Sequence, residues 1–281
     1  MTLTSLEALC GQIPNGAVLA IPKTSAGVAM SATRELIRRG LHGLHLIGVP
    51  TSGLQADVLI GAGCVDIIQT SAVTLGEFGT GPRFAAAVKE GSVKLLDATC
   101  PAIYAGLQAG LKGIPFMPLR GLIGSDVLQH RSDWKVIDNP FANDDPIVLL
   151  PSIRPDFALF QARKADRAGN VYIGRERELM IMAQAARQTL VTVEEVVEHD
   201  LMADEATASG TIAAIYITAI AVASPGAWPL GLLDRYGADT SVLSDYAKRA
   251  RTTDGFKGFL DDWLSGKLVT TAKESPAGVA A

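Results

Sequence analysis

Asn15-Gly16-Ala17-Val18-Leu19-Ala20-Ile21-Pro22-Lys23-Thr24 decides how this chain is read. The turn dipeptide Asn15-Gly16 leads into an unbroken apolar run, so Ala17–Ile21 is a strand entered from a turn. Apolar and polar residues do not alternate along it, which means that both of its faces are buried. That pattern belongs to a parallel strand covered by helices on each side. Pro22-Lys23-Thr24 is then a strand exit, the place where open α/β sheets bind ligands. A plain strand-to-helix loop has the same appearance, so spacing alone leaves both readings open.

The same pattern recurs on either side. Leu44–Val49 is the next strand, stopped by Pro50, and Val65–Thr70 and Val93–Asp97 follow. Later strands fall near Ile147–Leu150, Phe157–Gln161, Val171–Ile173 and Leu190–Val193. Between them the spacing predicts helices. One covers Ser31–Arg39, with Arg38 and Arg39 favourable at its C-terminus and Gly40 closing it. Another runs from Pro101 to Leu111 with proline in its first turn. Others cover Glu176–Arg187, Ser241–Arg251 and Gly255–Leu264. The segment Gly113–Pro146, rich in Gly, Pro and Asp, reads as a long loop excursion over the sheet. The fold class is therefore α/β, an open, mostly parallel sheet with helices on both faces. Residues 1–268 form one such domain, and 269–281 form a frayed tail.

Composition narrows the function. The 281 residues are 48% hydrophobic with a mean hydropathy of +0.25, enough for a deep core and too apolar for disorder. A net charge of −4 and a pI near 5.6 argue against a nucleic-acid surface. With aromatics at only 6%, a base-stacking or sugar-stacking surface is not expected either. Cys10, Cys64 and Cys100 are odd in number and irregular in spacing, neither a disulfide framework nor a zinc set, which points to a reducing cytoplasm. The N-terminus carries Glu7 and no basic segment, unlike a secretory signal. The uncharged stretch Ala206–Leu233 is broken at Ser224-Pro225-Gly226. Its apolar part, Thr211–Ala223, falls short of the ~20 residues a membrane span needs and reads as two buried strands.

An ordered set of motifs adds to this reading. After the opening stretch come Gly61-Ala62-Gly63-Cys64-Val65, Gln69-Thr70-Ser71 and Gly76-Glu77-Phe78-Gly79. Next are Pro82-Arg83-Phe84, the run Gly113–Gly121 containing Pro115, Pro118 and Arg120, and Gly124-Ser125-Asp126. Arg154-Pro155-Asp156, Ala165–Asn170, Val191–Glu195 and Pro225-Gly226-Ala227 complete the set. In this order, and spanning Ile13 to about Leu264, they resemble the α-subunit of class I CoA-transferases, in the CoA-transferase/NagB-like superfamily. The resemblance is to the branch that holds the A-type half of glutaconate CoA-transferase and the α-subunits of steroid-ring hydrolases.

The resemblance implies a two-protein enzyme that moves CoA between an acyl-CoA and a carboxylic acid. A β-subunit supplies the nucleophilic glutamate, and acyl anhydride and glutamyl-CoA intermediates split one hard exchange into easier steps. The β-subunit motif Ser-Glu-Asn-Gly is absent here, so this chain is expected to be the non-nucleophilic half of an α2β2 assembly. It further implies coenzyme A as substrate and no tightly bound cofactor. Two alternatives remain: the α-subunit of a ring-opening or thioester acyl-CoA hydrolase, and a non-catalytic ligand-binding module of the same superfamily.

The candidate site residues follow. The family has Gly-Gly and an aromatic residue where this chain has Pro22-Lys23-Thr24, so Lys23 supplies positive charge in place of backbone N–H groups. Cys100 stands where the hydrolases have a functional glutamate. At a helix N-terminus it reads either as a reactive thiol or as a small buried residue. Arg120, on a proline-bracketed segment, is a fork for a substrate carboxylate or a CoA phosphate, or else an ordinary ion pair. Ser71 and Ser125, beside strand-end loops, are further substrate-binding candidates or else ordinary loop formers, and Glu77 is a substrate-binding acid or base or else a surface acid. Glu194 and Glu195 point to opposite faces, so one of them is expected in a structural salt bridge. The four histidines lack metal-ligand spacing, and no metal is predicted.

Overall fold

The computed structural model describes residues 2–268; the tail expected from 269 onward lies outside them. The strands of the first half are β1 (Thr2–Thr4), β2 (Val18–Pro22), β3 (Leu44–Val49), β4 (Val65–Thr70), β5 (Lys94–Asp97) and β6 (Phe116–Leu119). Those of the second half are β7 (Lys135–Asp138), β8 (Pro146–Pro151), β9 (Phe157–Asp166), β10 (Val171–Tyr172), β11 (Gln188–Val197), β12 (Thr211–Ile212) and β13 (Ala219–Val222). The helices of the first half are α1 (Leu6–Gly11), α2 (Met30–Arg38), α3 (Leu54–Gly61), α4 (Pro82–Glu90) and α5 (Cys100–Lys112). After them come α6 (Arg177–Ala185), α7 (Glu205–Ala208), α8 (Thr240–Arg249) and α9 (Thr253–Leu264).

The main sheet has the order β1-β13-β11-β9-β2-β3-β4-β5, and every neighbouring pair on that path is parallel. From β2 the chain steps outward through β3 and β4 to β5; from β9 it steps the other way through β11 to β13. The strand order therefore reverses between β2 and β9. Alternation explains why the strands must be apolar throughout. Leu19, Ile21, Leu46 and Leu159 face one layer with Leu36 of α2 and Leu59 of α3. Ala20, Ile47, Phe160 and Val191 face the other, with Ile103 of α5 and Met182 of α6. Each large side chain so buried contributes about 1.5–3 kcal/mol, and the central strands need both faces. A third cluster joins α8 and α9 to Leu54 and Val58 of α3, with Tyr246, Phe256, Phe259 and Trp263 at its centre.

The segment expected as a loop excursion is instead structured. It holds β6 and β7, which pair antiparallel with β8 in a three-stranded sheet of order β6-β8-β7. Two four-residue strands with Pro118 inside one give almost no periodicity. Proline is tolerated because β6 is an edge strand. Val148 and Leu150 of β8 pack into the core of the main sheet. Phe116, Ile137 and Leu149 instead line an open groove of about 680 Å³ on the outer side, with Arg120 and Phe141 at its margin. Arg131, stacked 4.0 Å over Trp134, donates to the Asp97 carbonyl at 2.9 Å and ties this sheet to the end of β5. The Thr211–Ala223 stretch does contain two strands, but β12 pairs antiparallel with β10 while β13 joins the parallel sheet. No helix among the described residues is long and apolar enough to cross a membrane.

Candidate functional site

Ligands in open α/β sheets bind beyond the carboxyl ends of the strands, where strand order reverses. Here that place is the exit of β2 beside β9. The chain leaving β2 stays against β9: the Gln161 N–H donates to the Gly27 carbonyl at 2.7 Å. Gly27 has φ +71, and a Cβ there would collide with the Gln161 carbonyl, so only glycine allows this approach. Lys23, the first residue beyond β2, reaches across to the start of α6. Its ammonium lies 2.5 Å from Glu178 Oε1 and 3.9 Å from Glu176 Oε2. The Glu178 side chain is only 8% exposed against 37% for Lys23, so the carboxylate depends on this contact more than the ammonium does. The bond to Glu178 holds the Lys23 ammonium above its ordinary pKa. Burial, then the charge of Glu178, pushes the Glu176 carboxyl upward.

A second group of side chains comes from the exits of β4 and β5. Thr99 caps α5 by accepting from the Ala102 N–H, which sets Cys100 as the first residue of the helix. Cys100 Sγ is 3.2 Å from Ser71 Oγ, and Ser71 Oγ is 2.9 Å from the Pro50 carbonyl. A serine hydroxyl has one hydrogen. Given to Pro50, it leaves the Cys100 S–H as donor in the thiol–hydroxyl contact. One helical turn later, burial and then the charge of Glu178 raise the pKa of the Tyr104 hydroxyl. Thr24 Oγ1 is buried without a hydrogen-bond partner and faces Gly53, where a Cβ would collide with it.

Of the residues singled out by sequence, Lys23, Thr24, Ser71 and Cys100 thus stand at strand exits of the main sheet. Arg120, Glu77 and Ser125 have no hydrogen bond or ion pair to them. Arg120 makes a bidentate pair with Asp145, at 2.7 and 2.6 Å, which Asn139 joins at 2.5 Å. This holds the Asp145 carboxyl down at about 2. Ser125 caps a short 3₁₀ turn by accepting from the Val127 N–H, and Glu77 is exposed in another such turn. Glu195 pairs with Arg235, whereas Glu194 turns inward to accept from Gln161 Nε2, the Gly226 N–H and the Tyr236 hydroxyl. Cys10 and Cys64 are buried, and burial pushes their thiols up to about 12 and about 11. Among the described residues no group of three His, Cys, Asp or Glu side chains is placed to hold a metal ion.

Tyr104, Glu176 and Glu178 were not singled out by sequence. Tyr104 was within reach, because it lies four residues from Cys100 on one helix face. The glutamates carried no signal, since nothing in their spacing relates them to Lys23.

Comparison with known proteins agrees with this geometry. The Coenzyme A transferase family matches residues 3–223. The chain is 30% identical over 271 residues to the A-type half of 3-oxoadipate CoA-transferase from Pseudomonas knackmussii, covering 94% of this chain and 93% of that one. It is also 30% identical to a protein of Archaeoglobus fulgidus over 94% of its own length, but spans only 59% of that protein. The crystal structure of glutaconate coenzyme A-transferase from Acidaminococcus fermentans superimposes with a TM-score of 0.87 at 25% identity, covering 94% of this chain and 89% of that one. The chain belongs to the coenzyme A transferase family, in which it is a subunit of the α type.

Proposed function

We propose that this chain is one half of a heteromeric enzyme that moves CoA between an acyl-CoA and a carboxylic acid, with the attacking glutamate carried by a β-subunit. The observation that carries the reading is the state of the carboxylates at the β2 exit. Glu178 is engaged by Lys23 and Glu176 lies beside the same ammonium, so neither is offered as a free nucleophile. What the strand exits do offer is positive charge at Lys23 and hydrogen-bonding side chains at Ser71 and Cys100. Those groups suit an electrophile and the charge it develops, not an attack.

On this reading the thioester carbonyl lies near Lys23. The partner's glutamate adds to the carbonyl carbon, and the C–S bond breaks to give an acyl anhydride and CoA thiolate. The thiolate then attacks the glutamyl carbonyl, releasing the carboxylic acid and leaving a glutamyl-CoA thioester. Lys23 stabilises the oxyanion of each addition. Coenzyme A enters as substrate, with no tightly bound cofactor. The three unpaired cysteines suit a reducing cytoplasm, and an α2β2 assembly places each site between unlike chains.

Co-expression with a β-subunit of the same family tests this. The isolated chain is expected to turn over no acyl-CoA, and the pair to transfer CoA to an added acid. Release of free acid and CoA without an acceptor would favour the hydrolase reading. A pair that binds acyl-CoA without converting it would favour a ligand-binding module.

A further inference from the structure

A cavity of about 250 Å³ lies between the main sheet and the layer built by α5 and the chain leaving β8. Val18 and His45 enter it near the starts of β2 and β3, four residues before those strands end. Its floor is unlike the rest of that sheet face. Ile47, Gln69 and Leu96 are side by side on β3, β4 and β5, and His45 comes two residues before Ile47, so all four point the same way. Elsewhere this face is apolar, with Ala20, Phe160 and Val191, yet here it carries an amide and an imidazole. Neither is satisfied from within the chain. Gln69 is 8% exposed and its amide has no hydrogen bond to a described residue, and His45 Nε2 is buried and unpartnered.

The covering layer adds charge. Arg154 lines the cavity, is exposed at its margin, and has no ion pair or hydrogen bond to a described residue. Arg131 also lines it but is fully engaged, by Asp133 at 2.9 and 2.8 Å, by the Asp97 carbonyl and by the face of Trp134. Burial, then the charges of Arg131 and Lys94, hold the His45 imidazole below its ordinary pKa, so it meets a ligand as a neutral ring. Buried polar groups are seldom left without partners. Water would serve Gln69 and His45 but would leave Arg154 and the apolar walls of Leu96 and Ile153 without a role. We propose that this cavity binds a short-chain hydroxy acid, its carboxylate on Arg154, its hydroxyl at Gln69 and His45, and its carbon chain against Ile47, Leu96 and Ile153. A guanidinium takes a carboxylate through two parallel hydrogen bonds. A hydroxyl both donates and accepts, so it suits the amide and either tautomer of the imidazole. The inference does not depend on the CoA-transferase reading.

Calorimetric titration of the full chain with 4-hydroxybutyrate, butyrate, 1,4-butanediol and inorganic phosphate tests it. The three organic probes share one carbon chain and differ in a single end group. 4-Hydroxybutyrate is expected to bind most tightly, butyrate about fivefold more weakly and butanediol at least about tenfold more weakly. Arg154→Ala should lower the affinity for 4-hydroxybutyrate at least about tenfold and leave that for butanediol unchanged. Gln69→Leu should bring 4-hydroxybutyrate down to the level of butyrate without loss of stability in urea, because its amide has no internal partner to lose. Should Gln69→Leu fail to fold, Arg154→Ala, at an exposed and unpaired side chain, carries the test. Phosphate binding as tightly as 4-hydroxybutyrate would show a simple anion site and overturn the proposal. No binding of the hydroxy acid, or an affinity that Arg154→Ala leaves unchanged, would overturn it equally.

Discussion

Lys23 and Arg120 each follow the last residue of a strand, and each ends in a short contact with a carboxylate, yet the two pairs differ in kind. Arg120–Asp145 joins neighbouring turns of the three-stranded sheet, with the arginine side chain 70% exposed. Lys23–Glu178 joins a strand exit to a helix far along the chain, with the carboxylate at 8% exposure. Water can take over from Arg120 at Asp145, but little water reaches Glu178 to take over from Lys23. Such exposed pairs are worth about 0–1 kcal/mol, whereas a buried charge stripped of its partner costs several. A cation after a strand therefore becomes part of a site through what its partner loses without it, and proximity to a carboxylate alone does not make it one.

The largest effect is expected for Lys23→Met. It should lower stability by about 2–4 kcal/mol in urea titration, and kcat/KM of the partnered enzyme by about 100-fold. Lys23→Arg should recover part of both, and a Lys23→Met protein as stable and active as the parent would erase the contrast. Cys100 comes next. Cys100→Ala removes the donor to Ser71 and should cost about 1 kcal/mol. Cys100→Ser keeps a donor, so activity within about threefold of the parent is expected. Arg120→Ala should change stability by less than about 1 kcal/mol and activity by less than about twofold. A tenfold loss would return Arg120 to the substrate.

The smallest effect, and the finest test, is the sign of the pH dependence. Asp145 titrates at about 2 in the folded chain, below the ordinary aspartate value of 3.8. Its contribution is present above that ordinary value and lost as pH falls through about 2. Glu176 is shifted the other way, so the folded chain holds its proton more tightly than the unfolded one. Its contribution is present at low pH and declines as pH rises above the ordinary glutamate value of 4.5. Stability of Asp145→Asn measured from pH 4 down to 2, and of Glu176→Gln measured from pH 4 up to 7, should therefore deviate from the parent with opposite slopes. Parallel slopes would show that both carboxylates sit in similar surroundings.

The same contrast explains how much could be read in advance. Strands β2, β3, β4, β9 and β11 were legible because burial on both faces makes them apolar over most of their length. Strands β6 and β7 were not, since one is interrupted by Pro118 and the other, Lys135–Asp138, is exposed along its whole length. Helix α3 escaped for the opposite reason: Leu54 to Ile60 are all buried, which leaves no polar face to reveal its period. In the site, Lys23, Ser71 and Cys100 were legible because each follows a strand that sequence could place. Glu176 and Glu178 were not, because their meaning comes from α6 packing beside β9, which no local pattern records.

The central claim is that the covalent intermediate never forms on this polypeptide. Incubating the partnered enzyme with acyl-CoA, reducing with borohydride and mapping both polypeptides by mass spectrometry tests it most directly. The account predicts that the β-subunit carries a reduced glutamate while this chain stays unmodified. An adduct on Cys100, or on any other side chain of this chain, would contradict it.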